Sequence, residues 1–134
     1  MDLWSWTLDH LQRATDARGH DLYHSVRQGV TFPMADALSW LLAARQFLLD
    51  ARALTCSGNV PDVAALLTDL AHVQAARAAG EAGRICADLV LGYRIQSAEP
   101  VPSELAPFIA LRVRLDEAQA GARLAKDRAA GFIS

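Results

Sequence analysis

The strongest constraint on the fold of this chain is one long helical stretch, residues 71–93, that is rich in alanine and glycine. It reads AHVQAARAAGEAGRICADLVLGY, and its middle contains no large aliphatic side chain. Arg and acidic residues recur there at intervals of three and four residues, which is the spacing of one helical face. Because small side chains let helix axes approach each other closely, the pattern predicts a long helix that packs tightly against its neighbours.

Two surfaces of this helix are candidate functional features. At about 100° per residue, four small residues fall on one side of the helix and form a strip against which a neighbouring helix is expected to pack closely. The strip consists of Ala76, Gly80, Gly83 and Ala87. The other is a charged row, which continues the side occupied by Val63, Leu66, Leu70 and Val73 in the first half of the helix. The charged row consists of Arg77, Glu81, Arg84 and Asp88.

The spacing of the charged row predicts ion pairs of Arg77 with Glu81 and of Arg84 with Asp88, four residues apart. Such pairs contribute about 0.2 to 0.5 kcal/mol each on an exposed helix. If they were buried, removing one partner would cost about 3 to 5 kcal/mol, because the other charge would be left alone. The alternatives are therefore a break or bend of the helix near Gly80, a buried polar seam between helices, a solvated face, and an exposed surface on which another domain or subunit docks.

Helix breakers divide the chain into four predicted helices at about residues 2–28, 33–56, 61–93 and 103–130. Pro33 and Pro61 suit a first helical turn, where the missing N–H has no partner within the helix. A loop with two prolines is expected at residues 97–102. No stretch alternates with a period of two, so we expect one all-α domain over residues 1–134, an antiparallel up-down four-helix bundle.

The apolar pattern of the second and fourth helices gives their expected buried faces. For helix 33–56 these residues are Leu38, Trp40, Leu41, Ala44, Phe47, Leu48, Ala51 and Leu54. For helix 103–130 they are Phe108, Leu111, Leu115, Ala118, Ala122, Ala125 and Ala129.

Composition excludes several classes of function. The net charge is −2 and no basic cluster occurs, so we expect no nucleic-acid partner. The longest apolar run is far shorter than the roughly 20 residues of a spanning helix, so no transmembrane segment is expected. Two cysteines, Cys56 and Cys86, make neither a disulfide framework nor a zinc site, and a cytoplasmic location is the simplest interpretation.

Residues that could carry chemistry are few. His20 and His24 lie four residues apart near two aspartates, so a metal site is an alternative to a pair of exposed or capping histidines. We favour the exposed pair, because the Glu-x-x-His pattern of carboxylate-bridged bundles is absent. His72 and the three tryptophans, Trp4, Trp6 and Trp40, are interpreted as core or interface residues. No serine has a histidine and an acid at a spacing typical of a catalytic triad, so nucleophilic catalysis is not indicated. The sequence predicts no catalytic, cofactor-binding or metal-binding residue.

Two segments carry a resemblance to a known family. Residues 31–46 (TFPMADALSWLLAARQ) followed by residues 72–93 look like the C-terminal helical domain of a subgroup of large bacterial acyl-CoA dehydrogenases. The similarity covers roughly residues 2–130. It implies a flavoenzyme that uses FAD to remove two hydrogens from the α and β carbons of an acyl-CoA, with a glutamate as the base. In that family this domain is an additional bundle beyond the catalytic domains.

The chain also departs from the family pattern. The sequence after Tyr93 does not continue into the glycine-rich turn and Tyr-Glu-Gly loop that carry the flavin contacts and the base. Glu81 is a poor candidate for that base, since Arg77 one turn away would hold its pKa low. We therefore expect no cofactor in this chain alone, with FAD implied only for a full-length parent enzyme.

Two functions follow as expectations. One is a non-catalytic accessory domain that supports the assembly of such an oxidoreductase, with its catalytic domains as partner. The other is an independent dimerisation or regulatory module, which would pair with a second copy through the small-residue strip or the tryptophan-rich end of the first helix. Under either expectation the chain forms an oligomer.

Overall fold

The computed structural model describes residues 1–24, 26–58, 61–94 and 103–133, and this part of the chain is all-α. The α-helices are α1 (Asp2–Arg13), α2 (Gln28–Cys56), α3 (Pro61–Gly92), α4 (Ala106–Asp116) and α5 (Ala122–Ile133). Short 3-10 turns precede α4 at Ser103–Leu105 and follow it at Glu117–Gln119. The loop predicted at residues 97–102 lies outside the described residues.

The predicted first helix, 2–28, is wrong beyond Arg13. Residues 14–24 form a turn instead, with an isolated bridge between Thr15 and Asp21 and with Gly19 at φ +80°. The Asp16 carboxylate accepts hydrogen bonds from the backbone N–H groups of Arg18 and His20. A side chain that binds nearby backbone groups in this way competes with the helical hydrogen bonds, which accounts for the end of the helix.

Of the other three predicted helices, two differ from the structure and one agrees with it. Helix α2 begins at Gln28, so Pro33 lies inside it and not at its start. Helix α3 begins at Pro61 and ends at Gly92, within one residue of the prediction. The predicted helix 103–130 is divided at residues 117–121, where a 3-10 turn is followed by Gly121 at φ +76°.

Helix α3 is the centre of the molecule, because α1, α2, α4 and α5 all pack against it. It runs antiparallel to α2: Arg77 of α3 lies over the ring of Trp40, and farther along α3 Arg84 shares an opening with Phe32. It also runs antiparallel to the C-terminal helices, since Asp69 binds Arg128 of α5 whereas Gly83 approaches Leu115 of α4. An antiparallel up-down bundle is compatible with this arrangement.

Contact between α2 and α3 is made largely through small side chains. Along α2 four of the five buried residues are spaced by seven positions, Val30, Ala37, Ala44 and Ala51, and Met34 is the fifth. Alanines at positions 71, 76, 78, 79 and 82 of α3 are buried too. A seven-residue spacing keeps one side of a helix turned toward its neighbour, and alanine at these positions brings the axes close.

Larger side chains form two core clusters at one end of the α2–α3 hairpin. The first contains Leu11, Leu22, Val30, Met34, Ala37, Ala82, Ile85 and Leu89. The second contains Leu3, Cys86, Val90, Leu105 and Phe108. The Trp4 indole lies against the first cluster and donates a hydrogen bond to the carbonyl oxygen of Met34, at 2.9 Å. Helix α1 is thereby fixed across this end of the hairpin.

Candidate interaction surface

The charged row lies on the surface of α3 and does not form a buried polar seam. Arg77, Arg84 and Asp88 are exposed, and Glu81 is half-buried. The ion pair formed is Arg84 with Glu81, three residues apart at 3.3 Å, and the Arg84 side chain remains 65% exposed. This pairing replaces the four-residue pairs that the spacing predicts.

Arg77 has an aromatic contact. Its guanidinium carbon lies 5.3 Å from the centre of the Trp40 ring on α2. A cation held over an indole face within about 6 Å is attracted by the ring, which contributes about 0.5 to 1 kcal/mol at an exposed site. Arg77 therefore joins α3 to α2 at the surface, and Trp40 is half-buried beneath it.

The small-residue strip packs against helices of its own chain. Ala76 and Gly83 are buried, and Gly80 and Ala87 are half-buried. A Cβ atom added at Gly83 would lie 3.7 Å from Cδ2 of Leu115, and one added at Gly80 would lie 3.9 Å from Nε2 of Gln119. The strip thus faces α4 and the turn after it. A dimer formed through this strip, one of the expected alternatives, is incompatible with that packing.

The loop before α2 is held by a network around Asp16. Its carboxylate accepts a 2.8 Å hydrogen bond from Arg27, and this pairing holds the pKa of Asp16 far below its usual value. The same pairing raises the pKa of Arg27, whose guanidinium also lies 6.0 Å from the Tyr93 ring at the end of α3. The network therefore ties the loop to α2 and α3.

His20 and His24 line an opening of about 440 Å³ in this loop, together with Gly19, Asp21, Val26 and Arg27. Over residues 1–24, 26–58, 61–94 and 103–133, no three His, Cys, Asp or Glu side chains come together as metal ligands. The opening lies on an exposed loop and its lining is mainly charged or imidazole.

The structure gives packing contacts for three further residues that the sequence analysis singled out, His72, Cys86 and Trp6. His72 is half-buried on α3, where its Cε1 lies 3.3 Å from the position of a Cβ atom added at Gly121. Cys86 is fully buried beside Thr7, and burial raises the pKa of its thiol. A thiol in such surroundings is unreactive. Trp6 stacks on His10 at 5.0 Å and is tilted against Phe108, so it packs inside the chain.

The sequence prediction was wrong about the large side chains of α2. Ala44 and Ala51 are buried, and Leu38, Trp40 and Leu41 are half-buried, but the remaining predicted core residues are exposed: Phe47, Leu48 and Leu54. Phe32, Leu42 and Leu49 are exposed as well, so α2 presents much of its apolar surface outward. The signal that reveals this is the spacing of Ala37, Ala44 and Ala51, which marks the contact with α3.

Of the residues predicted to be buried along helix 103–130, only three are buried. Phe108, Ala125 and Ala129 are buried, whereas Ala118 is exposed and Leu111, Leu115 and Ala122 are half-buried. The division of the predicted helix at residues 117–121 accounts for this, because the turn interrupts the helical periodicity on which one continuous buried face depends.

Among the described residues, none of the helices is long and apolar enough to cross a membrane. No known family model, curated protein or solved structure matches the chain.

Proposed function

We propose that this chain is a helical assembly module that binds a second copy of itself through the outward side of α2. The observation that carries the proposal is the exposure of large apolar side chains along one helix. Six of them are at least about a third exposed: Phe32, Leu42, Phe47, Leu48, Leu49 and Leu54. Large apolar side chains that stay exposed on one helix are typical of a site of association.

The packing of α2 explains why this surface is available. Ala37, Ala44 and Ala51 are buried on one side of α2, and helical periodicity places Leu42 and Leu49 on the opposite side. Burying an exposed leucine contributes about 1.5 to 3 kcal/mol when the side chain is fully removed from water. A net charge of only −2 places little electrostatic repulsion between two copies.

Substitution of Leu42 tests the proposal directly. Leu42→Glu places a charge on the outward side of α2, so we expect the variant to remain monomeric at concentrations where the native chain dimerises. Ile109→Glu on α4 is the matched control, because Ile109 is 46% exposed and Leu42 is 45% exposed. Light scattering coupled to size-exclusion chromatography gives the masses. Equal dimerisation of both variants would refute the role of α2.

A second candidate function rests on the resemblance of residues 31–46 and 72–93 to the C-terminal domain of acyl-CoA dehydrogenases. In this proposal the chain is a non-catalytic accessory domain, and the exposed charged row contacts the catalytic domains of the flavoenzyme. The exposure of Arg84 and Asp88 favours it, since charged residues are common at the polar rim of an interface.

The second candidate is tested by co-expression of this chain with the flavoenzyme encoded nearest to it in its genome. Retention of the flavoenzyme on the tagged chain is expected, and Arg84→Glu should weaken it while Arg123→Glu on α5 should not. Absence of a complex with the native chain would refute the accessory role.

A further inference from the structure

The outward side of α2 carries its own seven-residue pattern, opposite the buried alanines. Its positions alternate in steps of three and four, and every one of them is exposed: Phe32, Ala35, Ser39, Leu42, Gln46, Leu49, Ala53 and Cys56. We call this set the outer row. It extends over about 36 Å at 1.5 Å per residue. Steps of three and four are the pattern by which one helix presents a continuous face to a partner helix in a coiled coil.

We propose that the outer row pairs with the outer row of a second copy, with the two α2 helices parallel and in register. This inference rests on the proposed self-assembly and specifies its geometry. Phe32, Leu42 and Leu49 supply the large apolar contacts and are 63%, 45% and 44% exposed in the single chain. The exposure of the whole row means that no other described part of the chain covers it.

Charge complementarity sets the parallel direction. In a parallel coiled coil, a residue that directly precedes one position of the contact row lies opposite the residue of the second helix five positions later, which directly follows the next position of that row. Arg45 and Asp50 occupy these flanking positions on opposite sides of the outer row. By two-fold symmetry, the parallel pair therefore contains the Arg45–Asp50 ion pair twice.

An antiparallel pair of α2 helices that overlaps over the same residues would instead bring like charges together. There, residues on the same flank meet, so Arg45 lies opposite Arg45 of the second copy. On the other flank Asp36 lies opposite Asp50. Like charges at these positions destabilise the pair, so the sequence of charges along α2 selects the parallel direction.

The size of the contact predicts reversible association. One pair of helices of this length buries less than the roughly 800 Å² per partner of a standard stable interface. The outer row also contains Ser39 and Gln46, which contribute little apolar burial. We therefore expect dimers in the micromolar range, with charge deciding their geometry.

Cys56 provides a native reporter of that geometry. It is exposed at the C-terminal end of the outer row, whereas the other cysteine, Cys86, is buried. In the parallel dimer the two Cys56 residues are adjacent, and in the antiparallel dimer they stand at opposite ends, about 36 Å apart. A disulfide needs Cα atoms within about 7 Å, so within a dimer the two Cys56 thiols are placed to form one only in the parallel arrangement.

The experiment combines oxidation with charge reversal. Treatment of the native chain with copper phenanthroline in air, which takes two electrons and two protons from the thiols, is expected to give a covalent dimer. Cys56→Ser abolishes it. A variant with Cys56→Ser and Ser57→Cys, which moves the thiol off the outer row, should form its disulfide about tenfold more slowly.

Charge reversal supplies an independent measurement by sedimentation equilibrium. Arg45→Glu or Asp50→Arg alone should weaken dimerisation about tenfold, and the double variant should restore it. Dimers that form without a Cys56 disulfide and without rescue would overturn the parallel geometry while leaving self-assembly intact. A native chain that stays monomeric would overturn both.

Discussion

At the scale of single residues, Gly83 and Gly121 show that glycine has two different roles in this chain. Gly83 lies inside α3, and a Cβ atom added there would make an ordinary 3.7 Å contact with Leu115. Gly121 has φ +76°, a conformation that other residues rarely adopt, and an added Cβ atom would lie 3.3 Å from Cε1 of His72. The first glycine is replaceable and the second is required by the turn.

These two glycines give opposite predictions for stability. Gly83→Ala should raise the free energy of unfolding by about 0.5 to 1 kcal/mol, because alanine restricts the unfolded chain and favours the helix. Gly121→Ala should lower it by about 1 to 2 kcal/mol, the cost of a left-handed backbone. Urea unfolding measures both. Loss of stability in Gly83→Ala would mean that the small-residue strip has no room for a methyl group.

The pairing of Asp16 with Arg27 makes the stability of the fold depend on pH. The pairing with Arg27 lowers the pKa of Asp16 in the folded chain, so the carboxylate stabilises the fold above its unfolded pKa of about 3.9. This stabilisation is lost as the pH falls toward the folded pKa. Asp16→Asn should therefore have a lower melting temperature than the native chain at pH 7, and the difference should narrow at about pH 3.

The control for Asp16 is Asp9→Asn. Asp9 pairs with Arg13 at 3.0 Å, but both side chains are about 70% exposed, so its replacement should leave the melting temperature nearly unchanged. A difference between Asp16→Asn and the native chain that is the same at both pH values would contradict the role assigned to the carboxylate.

At the scale of helices, the alanine contact between α2 and α3 is the feature that shapes the surface. Ala44 is buried midway along α2, where the helices are close. Ala44→Leu should destabilise the chain by about 1 to 3 kcal/mol, because the added atoms force the helices apart. Ala43→Leu, on the exposed side, should change the free energy of unfolding by less than about 0.5 kcal/mol. Equal effects in calorimetry would show that α2 does not use the alanine positions for contact.

The helices also show where sequence reasoning succeeds. Pro61 fixes the start of α3, and the apolar pattern resumes after Gly80 and Gly83 and runs to Gly92, so both ends could be predicted to within one residue. In the first predicted helix the apolar spacing continues past Arg13, since Leu22 is buried in the core even though it lies in a loop. Apolar periodicity therefore could not distinguish a helix from a turn that Asp16 stabilises with its side chain.

The candidate surface was only partly predictable for a related reason. The charged row on α3 follows from the spacing of Arg77 to Asp88, but its exposure depends on where the other helices lie. On α2 two seven-residue rows compete, one of alanines and one containing Leu42 and Leu49. Ranking side chains by hydrophobicity selects the larger ones as core, whereas close helix packing buries the alanines.

At the scale of the whole molecule, the described chain is asymmetric about α3. Helix α1 and the two core clusters cover one end of the α2–α3 hairpin, and α5 lies along one side of α3. The outward side of α2 remains exposed along its length. Association of two copies through that side would bury apolar surface that the single chain leaves in water.

The mass of the native chain in solution tests this account most directly. We expect sedimentation equilibrium over a micromolar concentration series to show a shift from 14.5 kDa, the mass of one chain, toward twice that value. The shift should be reversible on dilution and absent in Leu42→Glu. A mass that stays at 14.5 kDa at every concentration would contradict self-assembly through α2.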